Sequence, residues 1–395
     1  MGQEAYKKTF PNSVWPGFVA SGPPLALGFN GQVQVHPDNA VTGAQADNRT
    51  NFTLQNVIGE AHLWAGGSYD DKITYWGEVT FATDGTIDIE KAQIIINDWL
   101  GPKHAVNTIV GRGVANVSSF GPHSAYVADA LIPSVPVTGL LGAQGDSFNI
   151  GDNYDFVEMN GVIGGRFIYN VGLSAGQHID VRPTENFYGH IGFKLGGMRM
   201  DGEGTAGPTD AQHPWAETAV TLDAFAYKSN SHFTPASGGP TQMDPALTLG
   251  AGLRAQWGSL ELNTGVYTES HNNAQDAALV AAGTAPTTQA SAVSQYNELS
   301  YVVFPWLVPA LRVEYTNLSA DGSPTLSDLR VMPGVAALVR PNIKLVLVGL
   351  LESTNGAPPG GWGAVNGGFV SGQAAPVSGR ATEVEAIQLY VGTAF

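Results

Sequence analysis

Apolar and polar residues alternate along most of the chain beyond residue 24. In segment 71–82, the apolar positions of one parity are Ile73, Tyr75, Val79 and Phe81. The positions between them are mostly polar and include Lys72, Glu78 and Thr80. Because successive side chains of a β-strand point to opposite faces, this two-residue period predicts strands with one apolar and one polar face.

The same period predicts about sixteen strands, each near the ten residues that a tilted strand needs to cross a bilayer. The predicted strands are 25–34, 57–66, 71–82, 87–97, 104–114, 155–164, 166–175, 186–198, 215–228, 245–257, 259–269, 294–304, 308–318, 328–339, 342–352 and 383–395. Residues 1–24 contain four prolines and lack this period. An irregular segment is therefore expected before the first strand.

The last predicted strand alternates up to the final residue, Phe395. Ile387, Leu389 and Val391 share one face with this phenylalanine. Soluble proteins rarely end inside a strand whose outer face is apolar. The ending resembles the closing strand of bacterial outer-membrane β-barrels, and the resemblance implies that Phe395 is the signal read by the barrel assembly machinery.

Connector lengths support a barrel of that kind, because such barrels alternate short periplasmic turns with long extracellular loops. Short connectors follow even-numbered predicted strands, as at 98–103 and 164–165. The long connectors 35–56, 115–154, 270–293 and 353–382 follow odd-numbered strands. Two links differ: 199–214 is long where a turn is expected, and Asp84–Gly85 is a tight turn in the place of a loop. A missed pair of strands near 199–214 is the alternative to a long turn there.

Composition agrees with a membrane barrel and excludes other classes. Only 13% of the residues are charged, about half of the usual share, and there are 50 glycines. No stretch of eighteen uninterrupted apolar residues could form a transmembrane helix. Without cysteine there are no disulfides, thiolate metal sites or covalent c-type haem. The net charge of -16 argues against nucleic acid as a partner.

Aromatic residues cluster where predicted strands meet the short turns. They are Trp99, Phe167, Trp215, Trp257, Phe304, Trp306 and Phe395. Amphipathic rings favour the headgroup zone of a bilayer, so this distribution predicts an interfacial girdle. We therefore predict an all-β chain with an irregular periplasmic segment over 1–24 and a transmembrane antiparallel β-barrel over 25–395.

Charged and polar residues of the polar faces are predicted to line a pore. A Lys or Arg that faces lipid near mid-membrane costs roughly 2–4 kcal/mol, so these residues should point inward. The predicted pore-lining residues are Glu60, His62, Lys72, Glu78, Arg112, Glu158, His190, Lys194, Glu217, Asp223, Arg254, Glu261, Glu298, Arg312 and Glu314. Sixteen strands leave an aqueous lumen, and the acidic excess predicts a weak cation preference. Pairing of these charges across strands is the alternative to free pore charges.

The connector 115–154 is the candidate constriction loop. It follows the fifth predicted strand, the position at which general porins fold a long loop into the lumen. Its candidate residues are Phe120, His123, Asp146 and Asp152. Its apolar stretches, at 130–133 and 140–141, could instead pack over the mouth or contact a partner subunit.

Other motifs predict no further chemistry. Gly202–Gly207 has dinucleotide-fingerprint spacing but runs into Pro208, without a helix to receive a phosphate. The nine histidines form no HExxH motif and no i, i+4 pair, so no metal site is predicted. Spacing alone assembles no Ser/His/Asp arrangement, so we do not expect an enzyme or a cofactor.

Two stretches, 65–81 and 301–315, resemble bacterial porins of the phosphate-selective and general trimeric types. The lead-in 6–27 is similar to the segment that precedes the barrel in cytochrome-porin fusions, but it has no Cys-x-x-Cys-His motif. These resemblances imply a passive channel for ions and small hydrophilic solutes, assembled as a homotrimer in the lipid and lipopolysaccharide of the bacterial outer membrane. The alternative is a barrel that sheathes a separate multihaem cytochrome or another periplasmic partner.

Overall fold

The computed structural model describes the barrel strands and several of the connections between them. The described residues are 25–37, 50–53, 60–69, 72–82, 85–114, 153–175, 186–203, 213, 215–233, 242–273, 289–320, 324–340, 343–355 and 383–394. The predictions for the N-terminal segment 1–24, for the loop residues Phe120, His123, Asp146 and Asp152, and for Phe395 concern residues outside these ranges. Within the described part, no helix is long and apolar enough to span a membrane.

All secondary-structure elements in the described part of the chain are β-strands. The strands are β1 (Leu25–Pro37), β2 (Thr50–Thr53), β3 (Glu60–Ser68), β4 (Ile73–Ala82), β5 (Ile87–Ile96), β6 (Asn107–Val114), β7 (Asn153–Ile163), β8 (Phe167–Ser174), β9 (Asn186–Gly196), β10 (Glu217–Phe233), β11 (Gln242–Gly258), β12 (Leu260–His271), β13 (Ala290–Tyr301), β14 (Leu307–Ala320), β15 (Leu326–Arg340), β16 (Ile343–Asn355) and β17 (Glu383–Ala394). All sixteen predicted strands are present.

The strands form one antiparallel sheet that closes on itself. β1 pairs with β17 through Gly28 and Ala394, and with β3 through Gly28 and His62. β2 pairs with the far part of β1, from Gln34 to Pro37, so it continues β3 along the same neighbour. Counted in this way, sixteen antiparallel strands make the wall.

The barrel has two different ends, which we call the turn end and the loop end. The turn end holds β1's first residue, β17's last described residue and short links such as Gly164–Arg166 and Ser259. The loop end holds the strand ends that the long connections follow, such as Val114 of β6 and Asn355 of β16. The alternation predicted from connector lengths is therefore confirmed.

The link between β9 and β10, at 197–216, is long and lies at the turn end. None of its described residues belongs to a strand, and the closed wall already holds sixteen strands. Arg199–Asp201 form a turn that is held to the β7–β8 link by a hydrogen bond from the Met200 N–H to the Gly165 carbonyl, 2.9 Å.

Two hairpin partners, β10 and β11, are each 17 residues long and extend beyond their predicted ranges. Towards the loop end both faces of β10 become polar, as at Ser229 and Asn230. The hydrophobic period fades there although backbone pairing with β11 continues as far as Phe233 and Gln242. Sequence periodicity therefore marks the part of a strand that meets lipid better than it marks the strand's end.

Candidate functional site at the inner wall of the barrel

Alternate residues of each strand differ sharply in exposure. In β10, Thr221, Asp223 and Phe225 are buried, whereas Leu222 and Ala224 between them are exposed. Because the sheet closes on itself, the buried face is the interior of the barrel, which we call the inner wall. The same alternation runs through β7, β9, β12, β13 and β14.

The outer face is a continuous apolar surface. Its exposed side chains include Ile94, Val110, Val157, Val171, Ile191, Leu222, Leu249, Val266, Val293, Leu311, Leu329, Leu347 and Leu389. A water-soluble monomer rarely exposes an apolar patch of more than a few hundred Å², so this surface requires a non-aqueous neighbour. A lipid bilayer meets that requirement.

Exposed aromatic side chains stand next to the connectors at the turn end. They are Trp99, Trp257, Tyr301, Phe304 and Trp306. Phe167 and Trp215 of the predicted girdle are half-buried, and Trp215 donates a hydrogen bond to the Ser259 hydroxyl at 3.1 Å. Aromatic rings at one height of an apolar wall are typical of a membrane interface.

The structure places most of the predicted pore-lining residues on the inner wall. Those that are buried there are His62, Glu78, Glu158, His190, Asp223, Glu298, Arg312 and Glu314. Those that are partly exposed on the same face are Glu60, Lys194, Glu217, Arg254 and Glu261. The lining of a conducting pore by these groups remains a prediction, but their position inside the barrel is a feature of the fold.

Arg112 does not lie on the inner wall, so its predicted position is wrong. It shares the outer face of β6 with Val110 and pairs with Asp155 of β7. The Arg112 guanidinium lies 3.5 Å from the Asp155 carboxylate. Both residues lie close to the loop end, where an outward side chain reaches beyond the hydrocarbon. Near the interface an outward Arg costs only about 0–1 kcal/mol, so the rule that charges point inward fails there.

The predicted pore-lining position of Lys72 is also wrong. It lies in the turn before β4 and is exposed, and its ammonium donates a 2.8 Å hydrogen bond to the Asp98 carbonyl. It belongs to the turn-end rim rather than to the strands of the wall.

Opposite charges on the inner wall are joined across strands. Lys194 of β9 contacts Glu217 of β10 at 2.6 Å, and Arg254 of β11 contacts Glu261 of β12 at 2.8 Å. His190 lies 3.2 Å from Asp223. Pairing across strands, the alternative weighed from the sequence, therefore accounts for much of the basic charge.

A buried charge network joins β13 and β14. Arg312 donates through Nε to Glu314 and through a terminal nitrogen to Glu298, the second at 3.3 Å. Its guanidinium also lies over the ring of Tyr296, 5.1 Å from the centroid. Such contacts offset the desolvation of a buried cation, which is costly when unpaired.

A second network joins β3, β4 and β5. The His62 ring lies 3.3 Å from Glu60 through Nε2 and 3.1 Å from Glu78 through Nδ1. Lys91 contacts the other oxygen of Glu78 at 2.5 Å. Thr80 donates to Glu90 at 2.7 Å. This network holds nitrogen and carboxylate oxygen donors within one small region of the inner wall.

Several inner-wall groups were not predicted from the sequence. Asp244 and Glu269 flank the ring of His271 at 2.5 Å on either side, close to the loop end. Asp244 and His271 lie beyond the predicted strand limits, and a continued two-residue count from Arg254 and Glu261 would have found them. Arg330 and Asp328 form an ion pair within β15, 2.9 Å apart. The two-residue period of β15 places both side chains on the inner wall.

Aromatic rings form a stripe on the inner wall between β7 and β13. Its buried members are Tyr154, Tyr188, Phe225, Tyr227, Tyr267 and Tyr296. Glycines lie beneath three of the rings, because a Cβ at Gly172, Gly250 or Gly265 would overlap Tyr188, Phe225 or Tyr296. Glycine therefore lets each ring lie against the neighbouring strand instead of projecting into the lumen.

The turn-end rim carries its own ion pairs. Arg199 makes a two-pronged contact with Asp201, through Nε at 3.0 Å and a terminal nitrogen at 2.5 Å. The Arg199 guanidinium holds the pKa of the Asp201 carboxyl well below its usual range. Lys103 of the β5–β6 link contacts Glu203 and lowers the pKa of that carboxyl. The second pair joins the β5–β6 link to the β9–β10 link.

Comparison with solved structures identifies the fold. An anion-selective porin from Comamonas acidovorans matches with a TM-score of 0.61 and 11% identity, over 94% of this chain and 98% of that chain. The outer membrane channel DcaP of Acinetobacter baumannii matches with 0.54 and 12%, over 96% and 100%. Salmonella typhi OmpF in complex with daunomycin matches with 0.52 and 11%, over 94% and 96%.

The sequence matches no protein-family model and no curated protein. Identities of 11–12% compare folds, not pore chemistry. Because each match covers almost the whole of both chains, the likeness concerns the complete barrel rather than a part of it. The chain has the fold of the bacterial outer-membrane porins.

Proposed function

We propose that this protein is a bacterial outer-membrane channel through which ions and small hydrophilic solutes diffuse passively, with a weak preference for cations. The observation that carries the proposal is the opposed chemistry of the two faces of one closed sheet: an apolar outer surface and a charged inner wall. A barrel of sixteen strands is wide enough to enclose an aqueous lumen.

The cation preference rests on the charge balance of the inner wall. Acidic side chains outnumber basic ones there among the described residues. The acidic groups are Glu60, Glu78, Glu90, Glu158, Glu217, Asp223, Asp244, Glu261, Glu269, Glu298, Glu314 and Asp328, and the basic groups are Lys91, Lys194, Arg254, Arg312, Arg330 and Lys344. A wall of net negative charge raises the local concentration of cations. The Comamonas porin is anion-selective, so the shared fold does not set the selectivity.

We propose further that the channel assembles as a homotrimer in lipid and lipopolysaccharide. The apolar outer surface can be shared between bilayer and neighbouring subunits without a change of its chemistry. Chemical cross-linking of the protein in outer-membrane fragments should give a ladder that ends at three subunits.

Solute entry into vesicles tests the channel directly. Liposomes that contain the refolded full-length protein should swell faster in isotonic arabinose than in a tetrasaccharide of the same osmolarity, because passive diffusion discriminates by size. Migration on a gel before and after heating reports whether the barrel is folded. Swelling no faster than that of protein-free liposomes, with a folded barrel, contradicts an open channel.

A sheath around a separate multihaem cytochrome is the second candidate, favoured by the acidic inner wall, which complements a basic partner edge. Outer membranes that contain the protein at its native level would then yield it with a co-purifying haem absorbance. A barrel that purifies without haem and conducts ions supports the passive channel instead.

A further inference from the structure

Three metal-ligating side chains meet on the inner wall of β3, β4 and β5. His62, Glu78 and Glu90 each bring one ligand atom into a group whose members all lie within 4.8 Å of one another. Nδ1 of His62 is 3.1 Å from Oε1 of Glu78. Ligand atoms on a tetrahedral zinc ion, at bond lengths near 2.1 Å, lie about 3.4 Å apart, so this separation is close to that of a bound pair.

A β-bulge brings Glu90 into the group. Glu78 is opposite Lys91 and Val79 is opposite Ile89, which leaves Glu90 as the extra residue of β5. A bulge turns a side chain that regular pairing would send to the other face. Thr80 links Glu90 to His62, because the Thr80 hydroxyl lies 2.7 Å from Glu90 and 3.0 Å from Nδ1 of His62.

Neighbouring side chains contact the ligand residues His62 and Glu78 and fix their orientation, as the residues around a metal site do for its ligands. Glu60 lies 3.3 Å from Nε2 of His62, on the side away from Glu78. A carboxylate in that place accepts a hydrogen bond from Nε2–H, so Nδ1 can bind a metal once the metal displaces its proton, the carboxylate–histidine–metal arrangement. Lys91 contacts Oε2 of Glu78 and leaves Oε1 on the histidine side. The Trp64 ring stacks on the imidazole, 5.4 Å between centroids and 2° from parallel.

We propose that His62, Glu78 and Glu90 form a zinc-binding site on the inner wall. One imidazole and two carboxylates suit Zn²⁺, and three protein ligands leave a fourth position for water or solute from the lumen. The two carboxylates neutralise the ion, while Glu60 and Lys91 position the ligands. The sequence predicts no such site, because its ligands come from three strands and one of them depends on the bulge.

Calorimetric titration of the full-length, tag-free protein in detergent with zinc chloride tests the site. One zinc ion should bind per chain. The informative variant is Glu90→Gln, because its amide oxygen can still accept from Thr80 while the anionic ligand is lost. Zinc affinity should fall about tenfold or more in Glu90→Gln, and about 10- to 100-fold in Glu60→Gln.

The matched control is Glu261→Gln, which removes one carboxylate from the inner wall at the contact with Arg254. It should bind zinc as the wild type does. The proposal is overturned if the folded wild type binds no zinc saturably, or if Glu90→Gln and Glu261→Gln weaken binding equally. Zinc binding is measured without ion flow, so this result is independent of whether the barrel conducts.

Discussion

The ring of Tyr296 lies directly on Gly265 of the neighbouring strand. The two residues are paired in the β12–β13 ladder, and a Cβ added at Gly265 would stand 2.6 Å from Cε1 of the ring. On its other side the ring receives the guanidinium of Arg312. A glycine, an aromatic ring and a buried cation therefore form one stack on the inner wall.

Replacement of that glycine should disturb the whole stack. We expect Gly265→Ala to lower the free energy of unfolding by about 1–3 kcal/mol, the usual cost of overpacking a filled site. Gly189→Ala is the control, because the nearest atom to its new Cβ is an ordinary 3.8 Å away. Urea unfolding in lipid vesicles, followed by tryptophan fluorescence, compares them. Equal stability of the two variants contradicts the stack.

Removal of the buried cation should cost more. Arg312→Met leaves Glu298 and Glu314 buried without their guanidinium, and we expect a loss of about 3–5 kcal/mol in the same unfolding assay. Arg340→Met is the control, since Arg340 is exposed at the turn end. Adding Glu314→Gln to Arg312→Met should recover part of the loss. A variant as stable as wild type contradicts a structural role for the network.

Two arginines of similar exposure test which face meets the pore. The side chains of Arg254 and Arg112 are 40% and 37% exposed, but the first is on the inner wall and the second on the outer face. Arg254→Gln should shift the reversal potential towards stronger cation preference, because it removes a positive charge from the lumen. Arg112→Gln should leave the potential unchanged. A shift with Arg112→Gln alone would reverse the assignment of the faces.

The rim pair gives a defined pH dependence. Arg199 depresses the pKa of Asp201 in the folded state, so the pair stabilises the barrel at all pH values above the unfolded Asp pKa of about 3.9. That contribution is lost as the pH falls from there through the folded value. The melting temperatures of wild type and Asp201→Asn should therefore differ by a constant amount above about pH 5 and converge in stronger acid. A difference that grows on acidification contradicts the pair.

Alternation predicted the strands because each strand meets lipid on one side and polar groups on the other, as in β9 and β14. The same logic failed where that contrast ends. Arg112 faces outward near the loop end, and Asp244 and His271 continue the inner wall beyond the apolar band. The inward position of Glu90 depends on a β-bulge, which is visible only in the pairing of β4 with β5.

A single sequence also could not predict which charged side chains contact each other across strands. The inward parity of Glu298 and Arg312 follows from the period, but their contact depends on the register between β13 and β14. That register is set by the link at 302–306, which is closed by a hydrogen bond from the Val303 N–H to the Leu307 carbonyl, 3.1 Å. A shift of one residue would send every side chain of a strand to the opposite face.

Single-channel recording in a planar bilayer, with potassium chloride at two concentrations, tests the central claim most directly. The purified full-length protein should open in ohmic steps, and the current should reverse at a potential displaced towards the potassium equilibrium potential. Heat-modifiable migration on a gel confirms that the inserted barrel is folded. A folded barrel that carries no current, or one that reverses towards the chloride equilibrium potential, contradicts a cation-preferring channel.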